Sequence, residues 1–167
     1  MGDPGKPAIQ KQMLRLGGEQ DKPESLIART LPMTAATSLP MKIDPFVSVD
    51  DMPFSASMDN VLQARGTPAA TCRNGVGLNE LDYGDAVYRF QDCGRLEEVT
   101  MRAPVVHIGG IEMAFGELAA FVRDRDPSAF EKADFVISPR FGLAFAPDCP
   151  LWVTALARHC LEAWRAI

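Results

Sequence analysis

The chain is short of the residues from which most catalytic and metal-binding motifs are built. It has two histidines and four cysteines in 167 residues. Cys72, Cys93, Cys149 and Cys160 contain no CxxC pair, and their separations fit neither a zinc ribbon nor a zinc finger. Free thiols in a reducing compartment are the simplest account, and neither a cofactor nor a metal is expected. Long hydrophobic runs are also missing: no segment approaches the ~20 apolar residues that cross a bilayer. The opening Met-Gly-Asp-Pro-Gly-Lys-Pro is not followed by the apolar core of a signal peptide. The expectation is a cytoplasmic protein without a membrane partner. Basic residues are outnumbered, because residues 41–167 hold twelve Lys and Arg against eighteen Asp and Glu, net −6. Phosphate binding needs clustered cations, so nucleic acid is not an expected partner. Gly75-Val76-Gly77 and Gly109-Gly110 lack the Lys-Ser/Thr ending of a P-loop and the spacing of a dinucleotide fingerprint.

What is present is an apolar fraction of 47 %, enough to fill a core in a chain this long. Residues 1–40 are rich in Pro, Gly, Lys, Gln, Ser and Thr and read as a flexible N-terminal arm. Residues 41–167 read as one α+β domain. Lys42 to Val47 fits an edge strand limited by Pro45. Phe54, Met58, Val61 and Leu62 mark one face of a helix, with Ser55 or Ser57 as its cap, Asp59 at the positive end of its dipole, and Gly66 and Pro68 as its stop. A turn region from Cys72 to Gly77 precedes a hairpin about Gly84-Asp85. After the Asp92-Cys93-Gly94 turn, a third strand runs from Arg95 to Arg102. Leu96 is out of phase with Val99 and Met101, which calls for a bulge or a later start. A strand Val105 to Ile108 bridges to a second helix marked by Phe115, Leu118, Ala119 and Val122. Asp126-Pro127 reads as the start of a further short helix. Strands at Phe135 to Ser138, Phe141 to Phe145 and Leu151 to Leu156 follow, and the tail from Arg158 reads as helical with Leu161 and Trp164 inward.

The order of elements occurs twice. Tyr83 to Phe90, followed after a turn by Leu96 to Met101, parallels Ser138 to Phe145, followed after a turn by Leu151 to Leu156. The expected fold is therefore two tandem helix-plus-antiparallel-meander repeats, about 53–103 and 111–158, packed into one domain.

The stretch Pro53 to Pro68, with its Gly66-Thr67-Pro68, followed by Leu81-Asp82-Tyr83-Gly84, Tyr88-Arg89-Phe90 and Gly94-Arg95-Leu96-Glu97-Glu98-Val99, resembles the helix, G-x-P and strand-meander signature of the small outer-membrane-assembly lipoproteins. The same fold doubled in one chain is that of the β-lactamase inhibitor protein. The chain has neither a lipobox cysteine nor the inhibitor's paired disulfides, so the resemblance implies neither an envelope role nor β-lactamase as the target. It implies a fold that binds other proteins through a sheet face and its loops.

Few residues suggest chemistry. His159-Cys160 is the only adjacent His/Cys pair, but neighbours on a helix point about 100° apart, which argues against a catalytic dyad. His107 lies in an apolar strand and reads as a core or sheet-edge residue. Cys93 and Cys149 occupy matching turns and would pair only if those turns meet. Glu80, Asp82, Asp85, Asp92, Glu97 and Glu98 crowd into one meander with only Arg89 and Arg95 among them. They read as a solvated face or as a negative patch for a basic partner. The expectation is a non-enzymatic protein-binding module, an immunity protein of a bacterial toxin–immunity pair that occludes the active site of a basic toxin domain. Its contact residues would be Asp82, Tyr83, Asp85, Tyr88, Asp92, Glu97, Glu98 and Trp152, with the two meander turns capping the toxin's cleft. The alternatives are an enzyme with a cysteine or carboxylate centre and a secretion adaptor. The sequence leaves the oligomeric state open.

Overall fold

The computed structural model describes residues 39–149 and 151–166. The expected arm therefore lies outside the described residues except for Leu39 and Pro40. The described chain is a mixed α+β structure with two β-sheets and three helices.

Five short strands build the smaller sheet: β1 (Met41–Asp44), β2 (Ser48–Val49), β3 (Met52–Pro53), β8 (Val105–Ile108) and β9 (Ile111–Ala114), in the order β3-β2-β1-β8-β9. The larger sheet has eight: β4 (Ala70–Arg73), β5 (Asn79–Asp82), β6 (Ala86–Phe90), β7 (Leu96–Arg102), β10 (Phe130–Lys132), β11 (Phe135–Ser138), β12 (Leu143–Phe145) and β13 (Trp152–Leu156). Its order is β10-β11-β12-β13-β7-β6-β5-β4, antiparallel throughout. Helix α1 (Met58–Arg65) precedes β4, α2 (Phe115–Arg125) precedes β10, and α3 (Cys160–Ala166) follows β13.

The registers assign each side chain of the large sheet to a face, because directly opposed residues share one. Leu81, Tyr88, Val99, Ala155 and Leu143 oppose one another across five strands. This face joins a core with Val61 of α1, Phe115, Leu118 and Val122 of α2, and Met41, Ile43, Val106 and Ile108 of the small sheet. On the opposite face, Leu156, Ala144, Ile137 and Phe135 pack with Cys160, Leu161 and Trp164 of α3. Both faces are thus covered at the centre, and β6, β11, β12 and β13 are buried at every residue.

Local signals placed most elements. Ser57 is the cap of α1: its Oγ accepts from the Asn60 amide at 3.2 Å, while Asn60 Oδ1 accepts from the Ser57 amide at 2.9 Å. Gly66 ends the helix at φ 79°. The phase break at Leu96 is a bulge: Phe90 opposes Leu96, Arg89 opposes Glu98, and Glu97 is the extra residue.

Three expectations need correction. The strand read at Lys42 is not an edge, since β1 pairs with β2 on one side and in parallel with β8 on the other. Each residue of this pair is 65 positions from its partner, so no local pattern reveals it. Part of the Cys72 to Gly77 turn region is strand β4, and the turn is confined to the residues after Arg73. No helix starts at Asp126-Pro127, where the chain passes from α2 to strand β10. The Asp126 carboxylate closes a turn on Ser128 and holds Ser138 and the Arg140 amide, so it bonds across the fold rather than capping a helix.

Candidate functional site

The face of the large sheet that carries α3 also carries a row of charge. Cys72, Glu80, Arg89, Glu98 and Leu156 oppose one another across β4, β5, β6, β7 and β13. Glu80 and Arg89 are 1 % exposed and Glu98 is 3 % exposed. Arg89 Nε donates to Glu80 Oε1 at 2.8 Å, and its Nη1 lies 3.7 Å from Glu98 Oε2. Nη1 also donates to Thr100 Oγ1 at 2.5 Å, which lies 2.9 Å from Thr154 Oγ1. Trp164 Nε1 of α3 donates to Glu98 Oε1 at 2.9 Å. Burial raises the Glu98 carboxyl above the usual carboxylate range, against the opposing pull of Arg89. Among the described residues, Arg89 Nη2 and Glu98 Oε2 are buried without a hydrogen-bond partner.

A second cluster is set by the bulge. As the extra residue of β7, Glu97 turns its carboxylate toward the start of α3. There Oε2 lies 2.6 Å from His159 Nε2 and 3.0 Å from Cys160 Sγ, and Arg95 Nε donates to Oε1 at 2.8 Å. His159 and Cys160, neighbours in sequence, converge because α3 begins at Cys160 and His159 belongs to the preceding turn, so the 100° helical offset does not apply. Burial, the hydrogen bond to Glu97 and the charges of Glu98 and Glu97 push the Cys160 thiol far above its ordinary range. The thiol is therefore a donor at neutral pH, not a thiolate nucleophile. Burial alone would raise Glu97, but the bonds from Cys160, Arg95 and His159 hold it below the usual carboxylate range. Glu97, His159 and Cys160 offer one oxygen, one nitrogen and one sulfur within 4.8 Å of one another, a set that can hold a metal ion.

The residues expected to contact a partner divide into two groups. Tyr88, Glu97, Glu98 and Trp152 are buried, at 3, 4, 3 and 4 % exposure, and cannot touch a partner at the surface. Tyr88 and Trp152 lie on strands covered on both faces, whereas alternation along one strand suggests only one covered face. Asp82, Tyr83, Asp85 and Asp92 remain half-buried or exposed. Asp82 accepts from the Gly84 amide, and the Tyr83 hydroxyl donates to Gly66 O. Asp85 pairs with Arg65 at 2.6 Å, and Asp92 is gripped by Arg73 at 2.6 and 3.0 Å. The Gly84-Asp85 and Asp92-Cys93-Gly94 turns stand at opposite ends of β6, so they cannot enter one cleft together. The same alternation sets Cys93 and Cys149 at opposite ends of the sheet, so the two matching turns do not meet.

Glu80 and Arg89 are the site residues that sequence reasoning read as solvated. A signal existed in Ala86-Val87-Tyr88-Arg89-Phe90, which is apolar on both alternating faces around one arginine. Such a run marks a strand covered on both sides, in which a charge must be paired. No helix among the described residues is long and apolar enough to cross a membrane. Comparison with protein-family models, with curated proteins and with solved structures gave no match.

Proposed function

We propose that the chain is a doubled helix-and-meander unit acting as a non-catalytic protein-binding module, an immunity protein that occludes the active site of a cognate basic toxin in the cytoplasm. The order of the large sheet supports the doubling: a helix and four meander strands on each side meet at the β7–β13 pair. The observation that carries the binding role is β4, which ends the sheet among the described residues and is exposed at all four positions. The outer backbone of such an edge accepts a strand or loop from another protein. Asp82, Tyr83 and Asp85 flank one end of that edge and Asp92 the other, so the acidic groups frame the contact instead of filling a cleft. Arg65 pairs with Asp85 and Arg73 with Asp92 in surface ion pairs that can exchange for a basic partner at small cost.

The test is capture of a partner from the native cell with the full chain, followed by an assay of that partner's own activity with and without added chain. One basic protein bound at one-to-one ratio and inhibited is the expected result. Asp85→Lys and Asp92→Lys should slow association, most at low salt. A partner that binds but keeps full activity would refute inhibition. A second reading, an enzyme with a thiol centre, is favoured by the convergence of His159 and Cys160 on Glu97 and opposed by the protonated, buried thiol. Fast alkylation of Cys160 at neutral pH would support it.

A further inference from the structure

We propose that Glu97, His159 and Cys160 form a mononuclear zinc-class metal site whose fourth position faces solvent. The three donor atoms match the N, O and S ligand types of zinc, and a soft sulfur beside an imidazole selects against magnesium and calcium. Their spacing is that of a closed, hydrogen-bonded form. Around a tetrahedral ion with metal–ligand bonds of 2.0–2.3 Å the donors would stand about 3.3–3.7 Å apart. The present separations are 2.6 Å for His159 Nε2 to Glu97 Oε2 and 3.0 Å for Cys160 Sγ to the same oxygen. Both separations reach the tetrahedral range if each lengthens by less than ~1 Å, and the three donors already lie within 4.8 Å of one another.

The surroundings fit the cation. Arg95 occupies Glu97 Oε1, which orients the carboxylate and leaves Oε2 as a monodentate ligand, the role that outer partners of metal ligands play. The Arg95 side chain is half exposed, so solvent screens its charge, whereas the Glu97 and Glu98 carboxylates act on the thiol from inside. The His159 side chain is 38 % exposed and gives the ion its entry path and a place for a water ligand. On binding, the Cys160 sulfur forms the metal bond and its proton leaves to solvent. The site is then neutral: one divalent ion, one carboxylate, one thiolate and one neutral imidazole.

Cobalt(II) titration of the full chain, stripped with chelator and kept reduced, tests this in a Cys72→Ser/Cys93→Ser background that removes the exposed thiols. The expected result is one equivalent of cobalt bound, with a thiolate-to-metal charge-transfer band and visible bands of tetrahedral strength, displaced by one equivalent of zinc. Cys160→Ser should abolish the charge-transfer band. His159→Ala should weaken cobalt binding by at least the ~10–100-fold that even outer-shell changes cost. Circular dichroism establishes that each variant is folded. If Cys160→Ser does not fold, the half-exposed His159 carries the test alone. A folded protein without the band, or a band and affinity unchanged in the variants, would overturn the proposal.

Discussion

Arg89 lies between two buried carboxylates, Glu80 and Glu98, and is the one cation in that row. Such a group adds little net stability while paired, but its removal strands charge in the interior. Arg89→Met should therefore lower the unfolding free energy by about 3–5 kcal/mol in urea titrations. The Glu98 carboxyl, already raised by burial, would lose the opposing pull of Arg89 and rise further, and stability tied to a raised acid falls as pH rises through its folded value. The deficit should accordingly be smaller in acid than at neutral pH, and a deficit independent of pH would contradict this account. Asp126 works in the opposite sense. Burial would raise it, yet bonds from Ser128, Ser138 and the Arg140 amide hold it below the usual range. Its contribution is complete above the ordinary aspartate value of roughly 3.9 and is lost as pH falls through the folded value. Asp126→Asn should cost about 1–3 kcal/mol at neutral pH, through unmet donors, and little in strong acid, as measured by denaturation at both pH values. Neither role was legible beforehand. Asp126-Pro127 has the local form of a helix start, and only the return of β11 brings Ser138 within reach.

Elements show where local chemistry is sufficient and where it is not. The α1 cap was readable down to Ser55 or Ser57, and the reciprocal box of Ser57 with Asn60 decides between them. Ser57→Ala should cost about 0.5–2 kcal/mol, visible as a lower thermal midpoint. Gly142, in the turn before β12, has φ +60°, and a Cβ there would meet the Phe46 ring at 2.9 Å. Gly142→Ala should cost about 1–3 kcal/mol, because the left-handed conformation penalises Ala and the ring must move. The first half of that argument is visible in a Gly-containing turn. The second depends on a loop 96 residues earlier in the chain, so no pattern around Gly142 announces it. The Leu96 bulge was likewise legible as a break in phase, but not its consequence, the turning of Glu97 toward His159 and Cys160.

At the scale of the whole molecule, the eight-stranded sheet is continuous because β7 and β13 pair over five positions. Those strands lie at its centre, each with a partner on both sides, whereas β4 and β10 end it among the described residues. Hydrogen exchange should find the slowest amides in β7 and β13 and the fastest strand amides in β4. Equal protection across the sheet would argue against this order of stability. The alternation and capping signals of the chain determined a mixed α+β fold and the hairpins between consecutive strands, since period, caps and turn residues act over a few positions. Which non-consecutive strands became partners was decided only in three dimensions. So were the small sheet with its parallel β1–β8 pair, the covering of both faces of β6, and the meeting of Glu97 with His159 and Cys160. Those contacts join residues tens of positions apart, where packing and register, not local preference, set which groups face water and which face each other.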